Sequence, residues 1–287
     1  MVRYVFILFL LVGISGCVGQ PARSESNASP RTSIPSDWAQ NSEKYTLMVR
    51  LNIASIEIPA GTASESEPLW SYLNEESVNL VRTPVLGFNG LRIGIGNNTV
   101  WPDIAELLKQ MTGRRIIESV AVAVPGRPLP IVLKQYRGEQ TLFLFREDRT
   151  ISGMDYPSGE QILMMVCTLN EDDPSQVLIT AVPQIRTIQR KSHFIQQDGK
   201  YMMVSQPEEY PLTPLTFQVL LPSDDFLIIG AGTESGRTTS VGHSFLVKDK
   251  DGLEFETLLI IKPEVFAAPS GEMKLAIPSE QAGRNHQ

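Results

Sequence analysis

From Tyr45 to Ile53 the apolar side chains fall at every second position: Tyr45, Leu47, Val49, Leu51 and Ile53. A period of two puts them on one side of an extended chain, which predicts a half-buried strand. Ile56 and Ile58 continue it, and Pro59-Ala60-Gly61 stops it. The period then changes. Ser66 is placed to N-cap a helix with Pro68 in its first turn, ahead of Leu69, Trp70 and Leu73. After a turn at Asn89-Gly90, Leu91, Ile93 and Ile95 alternate again as a strand. Ile104, Leu107, Leu108 and Met111 then fall at i, i+3, i+4 and i+7, the single stripe of an amphipathic helix. Pro102 suits its first turn, Asp103 its positive end and Gly113 its stop. A strand from Ile116 to Val124 completes a β-α-β-α-β run, short enough for one small α+β module over 44–125. Pro125-Gly126-Arg127-Pro128 is its expected boundary.

Helix signals fade beyond that point. Ile131–Leu133, Thr141–Phe145, Gln161–Leu169, Gln176–Val182, Thr216–Leu221, Phe226–Ile229, His243–Lys248 and Glu254–Ile261 all read as strands. Turn residues separate them, and Asp249-Lys250-Asp251-Gly252 between two alternating runs is the clearest hairpin signal. The expected fold class is therefore α+β, a small β-α-β-α-β module followed by a mainly antiparallel β domain over 126–268. The polar run 269–287 is expected to be a disordered tail.

The N-terminus has a different character. Arg3 precedes the unbroken apolar run Val5–Val12, and Gly13-Ile14-Ser15-Gly16 leads into Cys17. This is the layout of a secretory signal, and the run is short of the ~20 apolar residues a spanning helix needs. Ile14-Ser15-Gly16-Cys17 also resembles the lipobox of bacterial lipoproteins. That resemblance implies a signal peptide over 1–16, a diacylglycerol on the Cys17 sulfur and attachment to a membrane through acyl chains. The absence of aspartate after the cysteine (Val18 and Gly19 follow) points by the same analogy to the outer membrane of the cell envelope. From 17 to 43 the chain is rich in Ser, Pro, Gln and Asn and cannot bury enough surface to order itself, so a flexible tether is expected.

Composition narrows the chemistry. Hydrophobic residues make up 42% and charged residues 20% of the 287, enough to bury a core. A net charge of −7 argues against nucleic acid as a partner, which calls for a basic face. There are two cysteines, so a lipidated Cys17 leaves Cys167 alone, within the strand-like run Ile162–Leu169 and without a basic neighbour to activate it. The three histidines, His193, His243 and His286, lack ligand spacing, so no metal or other cofactor is expected. His243, beside Gly242 in a strand-like run, reads as structural. Glu75-Glu76 are adjacent and do not face each other on a helix. Asp224-Asp225 reads as a tight turn rather than a calcium loop. Gly94-Ile95-Gly96 lacks the third glycine of a dinucleotide site, and Gly230–Gly236 lacks the lysine and helix of a phosphate cradle. No Gly-x-Ser-x-Gly elbow occurs.

Val177–Ile185 is similar to the strand-then-Pro-x-Ile/Val phrase of bacterial secretins. Phe217–Gly230 looks like their strand, turn and apolar run closing on glycine, and Thr257–Val265 like their terminal strand; the order along the chain is also theirs. Ala231–Glu256 departs from the pattern, since it lacks the Val-Pro-x-Leu-Gly-x-Ile-Pro signature and any membrane-inserting stretch. The two resemblances imply a lipid-anchored envelope protein that binds or scaffolds, beside a secretion or outer-membrane assembly and with another envelope protein as partner. Trp38 in the tether and Trp101 before the clean helix are its candidate contact residues. An envelope enzyme acting on glycans or peptides, and a ring-forming secretin-like component, stand as alternatives. For the anchor the expected outcome is simple. Fatty-acid labelling in cells marks the wild-type chain and not Cys17→Ala; equal labelling of both would end the lipoprotein reading.

Overall fold

The computed structural model describes residues 44–111, 115–197 and 199–269. The segments expected to form a signal peptide, a tether and a tail, with Cys17 and Trp38, lie outside the described residues. In chain order the elements are β1 (Tyr45–Pro59), α1 (Glu67–Ser71), α2 (Arg82–Phe88), β2 (Leu91–Gly96), α3 (Trp101–Gln110), β3 (Arg115–Ala123) and β4 (Pro128–Tyr136). There follow β5 (Gln140–Phe145), β6 (Ile151–Tyr156), β7 (Gly159–Leu169), β8 (Val177–Gln197), β9 (Lys200–Pro211) and β10 (Phe217–Leu221). β11 (Phe226–Ala231), α4 (Val241–Leu246), β12 (Val247–Lys250) and β13 (Leu253–Pro269) complete the described chain.

Among the described residues every strand pair is antiparallel, and the class is the α+β expected. The first sheet has the order β2-β11-β13-β1-β3, with β12 hairpinned onto β13. Its centre is the ladder between β1 and β13, from Tyr45 opposite Pro269 to Pro59 opposite Phe255. The second sheet has the order β10-β8-β7-β4, with β9 folded back on β8. β5 and β6 form a separate hairpin, stitched to the body where the Asn89 side chain accepts from the Phe145 N–H at 2.9 Å and donates to the Phe145 carbonyl at 2.8 Å.

Alternation explains how the layers stack. The odd-numbered side of the first sheet carries Val49, Leu51, Ile53, Leu227, Ile229, Leu259 and Ile261, which pack with Met165, Cys167, Ile179, Ala181 and Val219 of the second. Its even-numbered side carries Ile56, Ile58, Ile228, Leu258 and Ile260, covered by Leu69 and Trp70 of α1 and Ile104 and Leu108 of α3. The result is three layers, helices over one sheet over another. α1 starts as its sequence suggested, with the Ser66 side chain accepting from the Leu69 N–H. Its Trp70 is 1% exposed and donates from Nε1 to the Ala63 carbonyl at 2.8 Å. The β12–β13 hairpin also forms as expected, Lys250 opposite Leu253 across Asp251-Gly252, both at positive φ.

Several expectations need correction. Residues 44–125 do not stand as a separate module: β1 and β2 pair with β13 and β11, so one sheet draws on both sides of Pro125. α2, β6 and β9 have no counterpart among the elements the pattern predicts. β8 continues through Gln197 instead of ending near Val182, and β8–β9 form a long hairpin carrying exposed Phe194, Tyr201 and Met203. His243 lies in a helix, not a strand. Ser240 N-caps α4 by accepting from the His243 N–H at 3.2 Å, and the strand begins only at Val247.

α4 docks through glycine. The Gly242 N–H donates to the Asn89 carbonyl at 2.8 Å, and a Cβ on Gly242 would stand 1.8 Å from the Gly90 carbonyl oxygen. That oxygen also accepts from the Gly232 N–H at 2.8 Å, so it cannot retreat cheaply. Gly242→Ala should therefore destabilise by about 3 kcal/mol through overpacking. Gly236→Ala, where a Cβ meets nothing within 4 Å, should stay within about 0.5 kcal/mol. Urea unfolding of the two variants measures the contrast, and equal midpoints would contradict it.

Candidate binding groove

The sequence pattern that starts α3 also positions its first residue. Asn97 Oδ1 accepts from the Thr99 N–H at 3.0 Å and the Val100 N–H at 3.3 Å, turning the chain just ahead of Trp101. Pro102 follows at the second helical position. Trp101 is thereby held on the helix-covered side of the first sheet, its ring edge-on to Phe226 at 5.2 Å between centroids. It stays 39% exposed because it lines a groove of about 550 Å³.

Trp101, Phe226, Ile260, Ala54 and Val120 give the groove its apolar lining. Asn52, Asn98, Glu118 and Lys262 supply polar groups to it. Lys262 Nζ donates to Asn98 Oδ1 at 3.0 Å, and Asn98 Nδ2 donates to Asp224 Oδ1 at 3.2 Å. Behind that chain the Asp225 carboxyl is raised above its ordinary value by burial and by the neighbouring Asp224 charge, with Lys262 opposing. The aspartates form the turn expected of them, the Asp225 N–H donating to the Pro222 carbonyl at 3.0 Å. An apolar hollow with a few polar groups is suited to holding a side chain or ligand.

A second hollow, of about 420 Å³, lies beside β2. There Arg92 is clamped by Glu75 through bonds of 2.8 and 2.9 Å and stacks over Trp70 at 4.6 Å. Its charge is thus already engaged within the fold. Glu75 faces Arg92 rather than Glu76, so the adjacent glutamates do not form a pair.

The strongest charge cluster is structural too. The Glu57 side chain is 5% exposed and bonded by Lys248 Nζ at 2.9 Å and by Lys250 Nζ. Burial pushes its carboxyl up, but the hydrogen bonds and charges of the two lysines outweigh that and hold it below the ordinary value. Lys134, from β4 in the other sheet, donates to the Val247 carbonyl. Its ammonium is shifted down by burial and by Lys248, with Glu254 opposing. This knot joins the two sheets beside β12, and no motif along the chain announces it.

Of the residues weighed for catalysis, His243 and Cys167 have described side chains. His243 Nδ1 lies 3.0 Å from the Ser235 carbonyl oxygen, while Nε2 is 3.9 Å from Glu254, beyond hydrogen-bond reach. The His193 side chain is outside the described set. Cys167 is buried in β7, and burial pushes its thiol up to about 11, which leaves it without thiolate at neutral pH. Among the described residues, no group of three or more His, Cys, Asp or Glu could hold a metal ion.

No protein family and no curated protein matches the chain. Among solved structures it is similar to Aeromonas hydrophila ExeD, at 11% identity and a TM-score of 0.25 over 84% of this chain and 54% of that one. It is similar to a chain of the Klebsiella pneumoniae type II secretion outer-membrane complex of PulD, PulS and PulC, at 10% identity and 0.23 over 89% and 49%. The V. cholerae type IV competence pilus secretin PilQ aligns at 10% identity and 0.23 over 82% and 66%. The chain thus spans about half the length of the first two. These neighbours include named secretins, the family that the phrases now placed in β8, β10–β11 and β13 resemble. The likeness is partial, and overlap this low does not equate the folds.

Glu57 gives a pH prediction with a definite sign. Its carboxyl is depressed in the folded chain, so its contribution is present above the unfolded value and is lost as pH falls through the folded one. Glu57→Gln should cost about 2 kcal/mol at neutral pH, the scale of charged hydrogen bonds. The gap to wild type should close in acid, below the ordinary carboxylate range. Denaturant melts at several pH values test this, and a gap that widens in acid would refute it.

Proposed function

We propose that the protein is anchored to the cell envelope by lipid on Cys17 and works there by binding or scaffolding, without catalysis, beside a secretion or outer-membrane assembly. Its partner is a segment of another envelope protein, and the Trp101 groove receives it. The observation that carries this reading is the groove: aromatic and aliphatic walls, with Lys262 and Asn98 bonded to each other at its polar side. An indole held at the start of a helix, edge-on to a second ring, offers rigid contact area at low entropic cost. Trp38, in the proposed tether, is the second contact residue of this reading.

Photo-crosslinking in cells tests it. A crosslinking residue at Asn98, on the groove, should capture one envelope protein. Trp101→Ala in the same background should lower the yield at least ~10-fold, since anchors of this kind are worth roughly 2 kcal/mol or more. Capture that is indifferent to Trp101, with the variant folded as wild type by circular dichroism, would remove the groove from the function.

A further inference from the structure

Strand edges are liabilities, because their unpaired N–H and C=O groups template further pairing. The two sheets guard theirs unequally. β2 is closed at Ile95, whose N–H and carbonyl exchange hydrogen bonds with Asn74 at 3.1 and 2.8 Å. β4 carries Pro128 and Pro130, which have no donor to offer, and the inter-sheet Lys134. β9 carries Pro207, Pro211, Glu208 and Glu209. β10 is only five residues long, with Pro222 directly after it.

β3 is less guarded, its charges being Arg115 at one end and Glu118 mid-strand. It is nine residues, Arg-Ile-Ile-Glu-Ser-Val-Ala-Val-Ala, with no proline, lysine or bulge. It pairs with β1 on one side, and no described strand pairs with the other. Both its faces are open as well: Ile116 is 48%, Ile117 44%, Val120 62% and Val122 48% exposed. A nine-residue, largely apolar edge exposed on both faces is stable in a folded protein when something covers it.

We propose that a second copy of this chain covers it, β3 pairing antiparallel with β3 about a two-fold axis at Ser119 to make one sheet across both copies. The strand is complementary to itself in that register. Ile116 meets Val122 of the second copy, Ile117 meets Ala121, Arg115 meets Ala123, and Glu118 meets Val120. Apolar pairs thus fall on both faces, and no like charges stand directly opposite. The two Glu118 carboxylates meet only on the diagonal, where both reach solvent. A two-fold contact of this kind uses one patch twice and closes at two copies, whereas a ring needs two different patches. Such a dimer shares Glu118, Ser119 and Val120 with the β3 wall of the groove and leaves the groove's occupant open.

The register makes the test sharp. In the full chain carrying Cys17→Ala, with Cys167 buried, native mass spectrometry and sedimentation should show a dimer. Ser119→Cys should crosslink to itself under mild oxidation, since facing Cα atoms lie about 4.5–5.5 Å apart, within disulfide reach. Ser119→Lys sets two lysines face to face and should raise the dimer dissociation constant at least ~10-fold. Val120→Lys, opposite Glu118 of the second copy, should leave the dimer intact. Both lysine variants alter exposed positions and should unfold as wild type does. A monomer throughout the concentration series, a ring, a dimer that Ser119→Cys fails to crosslink, or a dimer indifferent to Ser119→Lys would each overturn the proposal.

Discussion

The pairing of β1 with β13 holds the rest in place. Fifteen residue pairs join Tyr45–Pro59 to Phe255–Pro269, at the middle of the first sheet. Each side of those two strands founds a different core. Val49, Leu51, Leu259 and Ile261 meet the second sheet, while Ile56, Ile58, Leu258 and Ile260 meet the helices. A one-residue slip would exchange the two sets and leave both layers without their contacts. The same ladder makes folding depend on contacts between distant parts of the chain, as between Ala60 and Glu254. Such non-local pairing is the slow part of forming β-rich folds, because loop entropy is lost before the contact is gained.

What the chain displays locally, it displays well. β1 is written as alternation, α3 as a stripe with its own start, and the β12–β13 turn as Asp-Gly, while Gly113, the stop expected for α3, lies outside the described residues. What depends on a distant partner is not written locally. Nothing in 44–125 says that β1 will be completed by residues beyond 250, so a self-sufficient module is the natural but mistaken inference. α4 is six residues of Val, Gly, His, Ser, Phe and Leu, whose intrinsic preferences do not favour a helix. The Ser240 cap and the close seat of Gly242 on Gly90 decide it, and the second of these is purely tertiary. β9 hides for the opposite reason: its prolines and glutamates read as loop, and only pairing with β8 extends it.

The groove divides along the same line. Trp101 stands out in the sequence because an aromatic precedes a clean helix. Phe226, Ile260 and Val120 come from three separate strands and read as core until the sheet order sets them beside it. Glu57 is harder still. It occupies a polar position in an alternating strand, which predicts solvent, yet β12 folds over it with two lysines. Burial there is tolerated because the charges arrive with the strand that causes it.

Val120 belongs to two surfaces, and this ties the groove to the open edge. Its side chain lines the hollow that Trp101 also lines, while its backbone lies in β3, the last described strand on that side. Any chain that pairs with β3 therefore adds a neighbour to the groove's outer wall. It places a side chain beside Val120 on the face Trp101 looks across, because residues opposite one another in an antiparallel pair share a face. The groove's width and polarity at that wall then become properties of whatever covers the edge. The rim on the α3 side is held by Asn97 and Phe226. Contacts at the edge and in the groove are coupled by geometry alone, since the two share a wall one strand thick.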